Sequence, residues 1–595
     1  MQKLKNKNFL IILEFIISVL LVKGIIILFH LTNNSFYVVL AVSGLMFLMN
    51  KIINKKELIL KKTTLIATSI YSILISIALV IQNKITFCDD VGLKYDQNTF
   101  SNFQISDILR FLIIFCVAYI IVLTIIILTK NKKISIIDDK KEKLTRKQVI
   151  IYWIIATISV AACYIIYLLT YAPGAVLGDS LGSIVQGIGE AKFNNHNPVL
   201  YSMFIGIFMN IGKSVNNFNF GTMLYSITQL LIISGIIGYF LIWLKKYNVK
   251  LVCILLTWLF FVANTVFSSY AIIMWKDPLF CAFIFLMVLT LFDTVYSKGE
   301  NLKKPTQIIK FIILTILIAF FRNNGFLIVI FNYLALLIIF RKKLLVLNII
   351  NTIIIALIFI IQGPVYSKLG IVSPFEESVG IPLQQIARVI VYDGKISNEQ
   401  KEFINTIMPE EEWKDSYTPC IVDTIKWNPK FDKVFLQENR VEFIKMWAQI
   451  LPSNLSNYIK AYLMNTYGFW SLETKNKYGY VDTYIIDNSY GIKRTDYIEK
   501  YLGFSLESKL TKPDFLGSGT LMWIMLLSIF LLIINKNYKY ILVLLPCIIG
   551  WVSIMIATPV AFSLRYVFML AYALPLMIML PMLVKNQKEE GENEK

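Results

Sequence analysis

Apolar runs of membrane-spanning length dominate this chain and decide what it can fold into. Segments 8–30, 36–53, 63–82, 107–129, 148–171, 221–244, 249–268, 276–298, 306–321, 325–340, 344–363, 515–535, 540–557 and 563–584 carry almost no charge. About 20 apolar residues make a helix that crosses the roughly 30 Å hydrocarbon core of a bilayer. Inside lipid a backbone must satisfy its own polar groups, so each run is expected to be a helix. Hydrophobic residues make up 57% of the sequence and charged ones 16%, where a soluble domain holds about 45–50% and about 25%. A soluble enzyme, a secreted disulfide scaffold and a disordered chain are excluded. The expected fold is an all-α polytopic membrane protein with about 14 transmembrane helices.

Lysine and arginine set the expected topology. The formal charge of +20 sits in short basic clusters between apolar runs, the pattern of cytoplasmic loops, so no nucleic-acid partner is expected. One further run, 199–212, is ambiguous, because its 14 residues reach only about 21 Å at helical rise. If it does not cross, eleven basic residues of the second half (Lys245, Lys246, Lys250, Lys298, Lys303, Lys304, Arg341, Lys342, Lys343, Lys536, Lys539) lie inside. Four (Lys213, Lys276, Arg322, Arg565) then lie outside. Crossing would exchange the two sets, against the positive-inside rule. The run is therefore read as an interfacial helix, with both termini cytoplasmic. Heavy use of Ile, Lys, Asn and Tyr fits an AT-rich coding sequence, which makes a bacterial plasma membrane the expected location. No cleavable leader is expected, since no small-residue cleavage site follows 8–30.

This topology divides the chain into four parts. Residues 1–130 form an accessory four-helix membrane bundle, and 131–365 a membrane core with an outer loop at 171–220. Residues 366–514 are the one polar stretch long enough for an extracytoplasmic, mostly α domain. Residues 515–595 hold three more spans and a solvated tail. Five of the seven cysteines lie in apolar runs as packing residues; Cys88 and Cys420 fall in polar segments, and a bond between them is not expected.

The residues that can carry chemistry gather on the expected outer face. The loop after the fifth run holds Asp179, Gln186, Glu190 and His196, and Leu181, Ile184, Val185 and Ile188 give 180–190 an amphipathic helical stripe. Asp179 has two readings, a helix N-cap or a reactive carboxylate. His196, in Asn195-His196-Asn197-Pro198, is a surface histidine beside a helix start or a ligand-contacting one. Trp275-Lys276-Asp277-Pro278 opens another run, so Asp277 is a first-turn cap or a second functional acid, and Trp275 fits an aromatic belt. Arg322, in Arg322-Asn323-Asn324-Gly325 between two short runs, either snorkels to lipid headgroups or meets a carboxylate or phosphate. Arg565 has the same two readings. Glu14 and Asp293, near cytoplasmic ends, read as snorkelling residues.

Other chemistries leave no trace. The sequence has no Walker loop, dinucleotide fingerprint, CxxC or HExxH, and two histidines make a zinc site improbable. No chain of acids inside the runs suggests a proton-coupled pump. Carboxylates, one histidine and basic residues at a membrane surface suit a substrate with a lipid tail and a phosphate headgroup.

The order of these features resembles the GT-C superfamily of membrane glycosyltransferases, the protein mannosyltransferase and aminoarabinose-transferase type, and above all a bacterial multi-span branch. The resemblance covers about 148–365: a span, an acidic outer loop, an Asn-His-Asn-Pro-Val-Leu-Tyr run, Trp-Lys-Asp and Arg-Asn-Asn-Gly. It implies a GT-C-like core with interfacial helices. It also implies transfer of a sugar from a polyprenyl-phosphate donor to a glycan, lipid or protein acceptor of the cell envelope. Asp179 maps onto the first-loop acid, the expected general base, and Asp277 onto the second-loop acid. Arg322 maps onto a phosphate partner, and His196 onto a phosphate or acceptor contact. Glu190, Lys276, Gln186 and Arg565 are the further expected substrate-binding residues. The chain has Asn-Pro where better-known members have Pro-Pro. No cofactor is fixed; a divalent cation, Mg or Mn, is compatible with the second acidic position.

The 366–514 stretch adds Trp413, Trp427, Trp447 and Trp470, for which core packing is favoured over sugar stacking. Residues 380–388 are expected as a helix near the membrane. Two other function classes compete with the enzyme: a transporter or flippase of lipid-linked saccharides, and a non-catalytic envelope assembly partner. A transporter should show interrupted spans and mid-membrane polar groups in a repeat, and no repeat is visible. Closeness of Asp179, Asp277 and Arg322 around one cavity separates the alternatives.

Overall fold

In the computed structural model, all fourteen apolar segments are helical. The structure describes residues 2–28, 34–55, 61–87, 99–130, 135–138, 144–341, 343–472, 483–510 and 515–593. Ten helices are long and apolar enough to cross a membrane, and an eleventh crossing results if one pair bent by 58° counts as a single span. Four apolar helices are shorter. The protein is an all-α polytopic membrane protein; among the described residues the only sheet is a two-strand ladder pairing Ile85–Thr86 with Thr99–Phe100.

The helices used below are α1 (Gln2–Leu28), α2 (Ser35–Asn54), α3 (Lys62–Gln82), α4 (Ile105–Lys130) and α5 (Arg146–Thr170). They continue with α6 (Gly178–Gly187), α7 (Val199–Ser214), α8 (Phe218–Lys246), α9 (Leu251–Ala263) and α10 (Thr265–Ile272). The last four are α11 (Lys276–Tyr296), α12 (Pro305–Phe321), α13 (Gly325–Phe340) and α14 (Leu345–Ile360). Local chemistry sets several boundaries. Thr145 and Gln148 form a capping box at the start of α5. The bent pair is α9–α10, broken at Asn264. The 16-residue α7 is one of the short apolar helices.

α11 and the last span, Leu564–Val584, are the most buried elements, each with 83% of its apolar window inside the protein. The main core surrounds them. α1 and α2 share a small separate cluster around Leu21, Val22, Val42 and Leu45, while α3 and α4 pack into the main core. α4 also packs on the α1–α2 cluster through Ile113, Val117 and Ile120, and Tyr71 of α3 donates its hydroxyl hydrogen bond to the Trp523 carbonyl, which ties the first four helices to the main core. A second core, from Val379 to Tyr458, belongs to the polar segment. From Met464 onward the chain rejoins the main core.

The expected helix at 380–388 is present as Gly380–Val391 and forms the centre of the second core, with Leu383, Ile386 and Ala387 fully buried. Two local expectations are corrected. Glu14 is buried against neighbouring side chains, and Asp293 accepts hydrogen bonds from Trp243 Nε1, Tyr247 Oη and Lys246 Nζ, so neither extends past a helix end. Cys420 is buried; Cys88 lies outside the described residues.

Single-residue backbone pairings at one end of the bundle position the site. Ala175 N–H donates to Ile272 O, and Met274 N–H donates back to Ala175 O. That parallel bridge sets the start of α6 beside the start of α11. Below it, the fully buried Gln229 donates to the carbonyls of Tyr270 and Ile273 and accepts from Tyr225, which shares a 2.8 Å hydroxyl contact with Tyr201. A buried polar network of this kind fixes one arrangement because each unmet group costs free energy. α6 and α7 touch through glycine: a Cβ on Gly187 would lie 2.5 Å from Ser202 O and 2.8 Å from the Gly206 Cα.

Candidate active site

A cavity of about 520 Å³ opens where these segments converge. Asp179 reaches it from the first turn of α6, His196 from the loop before α7, and Lys276 from the first residue of α11. Arg322 comes from the α12–α13 turn and Arg565 from the start of the last span. Five of the eight residues singled out in the sequence therefore line one cavity.

Asp179 is its centre. Arg565 Nη1 donates to Asp179 Oδ2 at 3.2 Å, Lys276 Nζ lies 3.8 Å from the same oxygen, and His196 Nε2 lies 4.0 Å from Oδ1. Asp179 does not cap α6; Ser180 does, accepting from Leu177 N–H and donating to Met274 O. Burial alone would raise the Asp179 pKa, but Lys276, then Arg565 and His196, outweigh it and hold the carboxyl well below the usual range. Arg565 is itself fixed by the Tyr566 hydroxyl at 2.7 Å and lies over the Trp275 ring at 4.5 Å. Trp275 is buried, so it supports that guanidinium rather than an aromatic belt.

Asp277 stands behind this layer. Its side chain is fully buried and 2.9 Å from Arg322 Nη1, and it is absent from the cavity wall. The carboxylate expected to meet substrate instead pairs with Arg322, which lines the cavity. Arg322 also lies over the Tyr566 ring at 4.8 Å, so of its two readings the structure gives it a carboxylate partner at the cavity. Its turn is tight: a Cβ on Gly325 would collide with Ile318 O.

Two expected residues lie elsewhere. Glu190 accepts from Tyr490 Oη at 2.8 Å and pairs with Lys213 at 3.4 Å, half exposed and off the cavity wall. Gly189, with φ of +80°, turns the chain outward just before it. Gln186 accepts from Asn194 N–H and shapes the loop without lining the cavity. Glu190→Gln should therefore leave activity and stability within about 0.5 kcal/mol of wild type; a tenfold loss of activity would return it to the site.

The polar segment supplies side chains that the sequence did not single out. Glu377 Oε1 is 3.6 Å from His196 Nδ1, and Lys426 bridges Glu377 at 2.7 Å and Asp423 at 2.8 Å. Trp427, 58% exposed, meets the His196 ring edge-on at 5.9 Å. Trp413 is fully buried and Trp470 nearly so. Of the four tryptophans, Trp427 alone lines the cavity. Burial raises the Glu377 pKa, but Lys426 first and then His196 pull it below the ordinary value. Contacts between segments hold the two halves together: Asn195 N–H donates to Val372 O, Asn195 Nδ2 to Ser373 Oγ, Asn323 Nδ2 to Asn195 O, and Val422 N–H to Pro559 O.

These carboxylates do not suit a divalent cation. Asp277 is already paired with a guanidinium, and Asp179 faces three basic groups. Among the described residues no three His, Cys, Asp or Glu side chains are placed to hold a metal ion. The cavity instead suits an anion. Residues at the starts of α6, α7, α11 and α13 (Asp179, Pro198, Lys276 and Asn324) line it, and helix N-termini carry partial positive charge. One wall is apolar, made by Phe326, Leu327, Ile554, Ile556 and Ala557.

A family model with the description "Family of unknown function (DUF6020)" matches residues 188–595. No curated protein and no solved structure matches the chain.

Proposed function

We propose that this chain, which belongs to the DUF6020 family of unknown function, is a membrane glycosyltransferase of the GT-C type. It moves a sugar from a polyprenyl-phosphate donor to a cell-envelope acceptor on the extracytoplasmic face. The observation that carries this reading is the cavity with an anion-binding floor, a carboxylate at its centre and an apolar wall. On the Asp179 side, the cations Lys276, Arg322 and Arg565 face the carboxylates Asp179 and Asp277, a surplus of one positive charge that matches a phosphodiester, while Glu377 and Asp423 against Lys426 leave one negative charge on the opposite side. The four helix N-termini add to it. The apolar wall suits the first isoprene units, and the polar side toward Glu377, Asp423 and Trp427 suits an acceptor rich in hydroxyls.

Chemically, the leaving phosphate gains charge in the transition state, and fixed cations aimed at that point lower the barrier. Lys276, Arg322 and Arg565 perform that task. Asp179 holds the acceptor hydroxyl in line with the anomeric carbon. In the membrane, fourteen crossings result when the ten long helices, the bent pair and three of the four short helices cross while α7 lies in the interface. The eleven-to-four partition of basic residues then puts both termini inside and the cavity outside.

The test is a transfer assay in membranes with a panel of polyprenyl-phosphoryl sugars and envelope extracts as acceptor. Transfer of one sugar by wild type is expected; donor carried across the bilayer without any transfer would support a flippase and reject the enzyme. Because the carboxylates are paired with the protein's own cations, EDTA should leave the rate unchanged. A rate restored only by Mg or Mn would contradict the charge pairing.

A further inference from the structure

We infer that His196, oriented by Glu377, takes the proton from the acceptor hydroxyl, and that the 366–514 segment thereby completes the transfer site. The inference rests on the glycosyltransferase reading and goes beyond it by naming where the proton goes. Asp179 is the nearest carboxylate, but it is a poor proton acceptor. Arg565 and Lys276 sit on one of its oxygens at 3.2 and 3.8 Å, and every cation that stabilises the carboxylate opposes its protonation. Its other oxygen faces His196 Nε2 at 4.0 Å, so a hydroxyl held by Oδ1 is also within reach of that nitrogen.

The imidazole is held in the orientation this role requires. Nδ1 faces Glu377 Oε1 at 3.6 Å, which favours the tautomer with the proton on Nδ1 and an open lone pair on Nε2. Such distances in a site without substrate shorten when substrate closes it. Trp427 packs against the ring, Asn194 Oδ1 accepts from the His196 backbone N–H at 2.8 Å, and Lys276 Nζ donates to its carbonyl at 3.3 Å. Glu377 is in turn fixed by Lys426, whose second partner is Asp423. Burial and Lys276 lower the His196 pKa, against the opposing pull of Glu377 and Asp179, which favours the neutral ring that this role needs. The groups facing it are Asp179 from α6, Lys276 from α11, Glu377, and Lys426 with Asp423 behind it. Arg565 of the last span acts through Asp179.

The step balances. The acceptor oxygen forms the new bond to the anomeric carbon as the bond from that carbon to the phosphate oxygen breaks. The electron pair of that bond leaves on the phosphate, and the hydroxyl proton moves to His196 Nε2. Asp179 and Glu377 flank the imidazolium until it returns the proton to solvent. Glu377 and Lys426 are positioning residues; His196 is the catalytic one.

Two measurements on the full-length protein in nanodiscs test this. The chain has two histidines, so in a His30→Gln background ¹⁵N-imidazole NMR reports His196 alone. Its pKa is expected below 6.5, lower still in Glu377→Gln because a carboxylate that raises it is gone, and higher in Lys276→Met. In the transfer assay, His196→Gln should lose about 10²–10⁴-fold in rate while polyprenyl phosphate still binds. Wild type should lose rate as pH falls through the His196 pKa, and that acid limb should move to lower pH in Glu377→Gln. Wild-type rate and pH profile in His196→Gln, with Asp179→Asn inactive, would overturn the inference and give the proton to Asp179, leaving the transferase intact. A His196 pKa indifferent to Glu377→Gln would also overturn it. No transfer by wild type from any donor would remove the transferase reading itself.

Discussion

Asp179→Asn should cut sugar transfer by about 10²–10³-fold, the range for loss of one preorganised electrostatic group, while binding polyprenyl phosphate more tightly than wild type. The two effects have opposite signs for one reason. In the resting site the carboxylate is paired with Arg565 and Lys276, the cations proposed to take the donor phosphate. Neutralising it frees them for an anion, yet removes the group proposed to hold the acceptor hydroxyl and to face the His196 imidazolium. Single-turnover transfer together with equilibrium binding of polyprenyl phosphate at low and high salt checks this. Tighter binding should fade with salt as screening grows. A variant in which binding and rate fall together would show Asp179 holding the fold of the loop instead.

Asp277→Asn should destabilise the protein by about 1–3 kcal/mol, because it removes the charged partner of the Arg322 guanidinium. Asp277 has no exposure at all, while Arg322 lines the cavity, so only the carboxylate is sealed from water. The matching change Arg322→Leu leaves that carboxylate buried and unpaired and should cost more, about 3–5 kcal/mol. Asp277→Leu combined with Arg322→Leu should recover much of the stability, since the double change removes both charges together. It should not recover donor binding, because the cavity loses a cation. Thermal unfolding in detergent followed by binding of polyprenyl phosphate separates these outcomes. Wild-type stability in Asp277→Asn would mean that the pair carries no weight.

The helices were legible because each is written in one uninterrupted apolar run, and lipid leaves such a run no alternative conformation. The site was partly legible for a different reason. Asp179, His196, Lys276, Arg322 and Arg565 stood out because a charge or imidazole beside a span is expensive without a partner. Asp277 stood out equally, yet the sequence could not say which of the two acids would face the cavity. That is settled by the bridge between Ala175 and Ile273 and by the Arg322 turn. Glu190 is close to Asp179 along the chain, but after the left-handed turn at Gly189 it sits on Tyr490 and Lys213, off the cavity wall. Glu377, Asp423 and Lys426 carried no signal, being ordinary charges in a polar stretch where charges are unremarked. Trp427 was visible among four tryptophans, but only packing separates it from the buried Trp413. Gln229 could have been found as a polar residue in an apolar run, but its partners are carbonyls, which no side-chain pattern reveals.

In the proposed phosphate site, peptide groups add to the pull of the side chains, since residues at the starts of four helices line the cavity. Side-chain replacement leaves that contribution in place, and no change of pH can discharge it. Single charge-to-neutral variants should therefore weaken phosphate capture by degrees and leave a residual affinity in every one of them. Chain breakage or a shifted helix start would be required to silence it, which makes the spacing of the loops a determinant of the proposed phosphate site alongside its lysine and arginines.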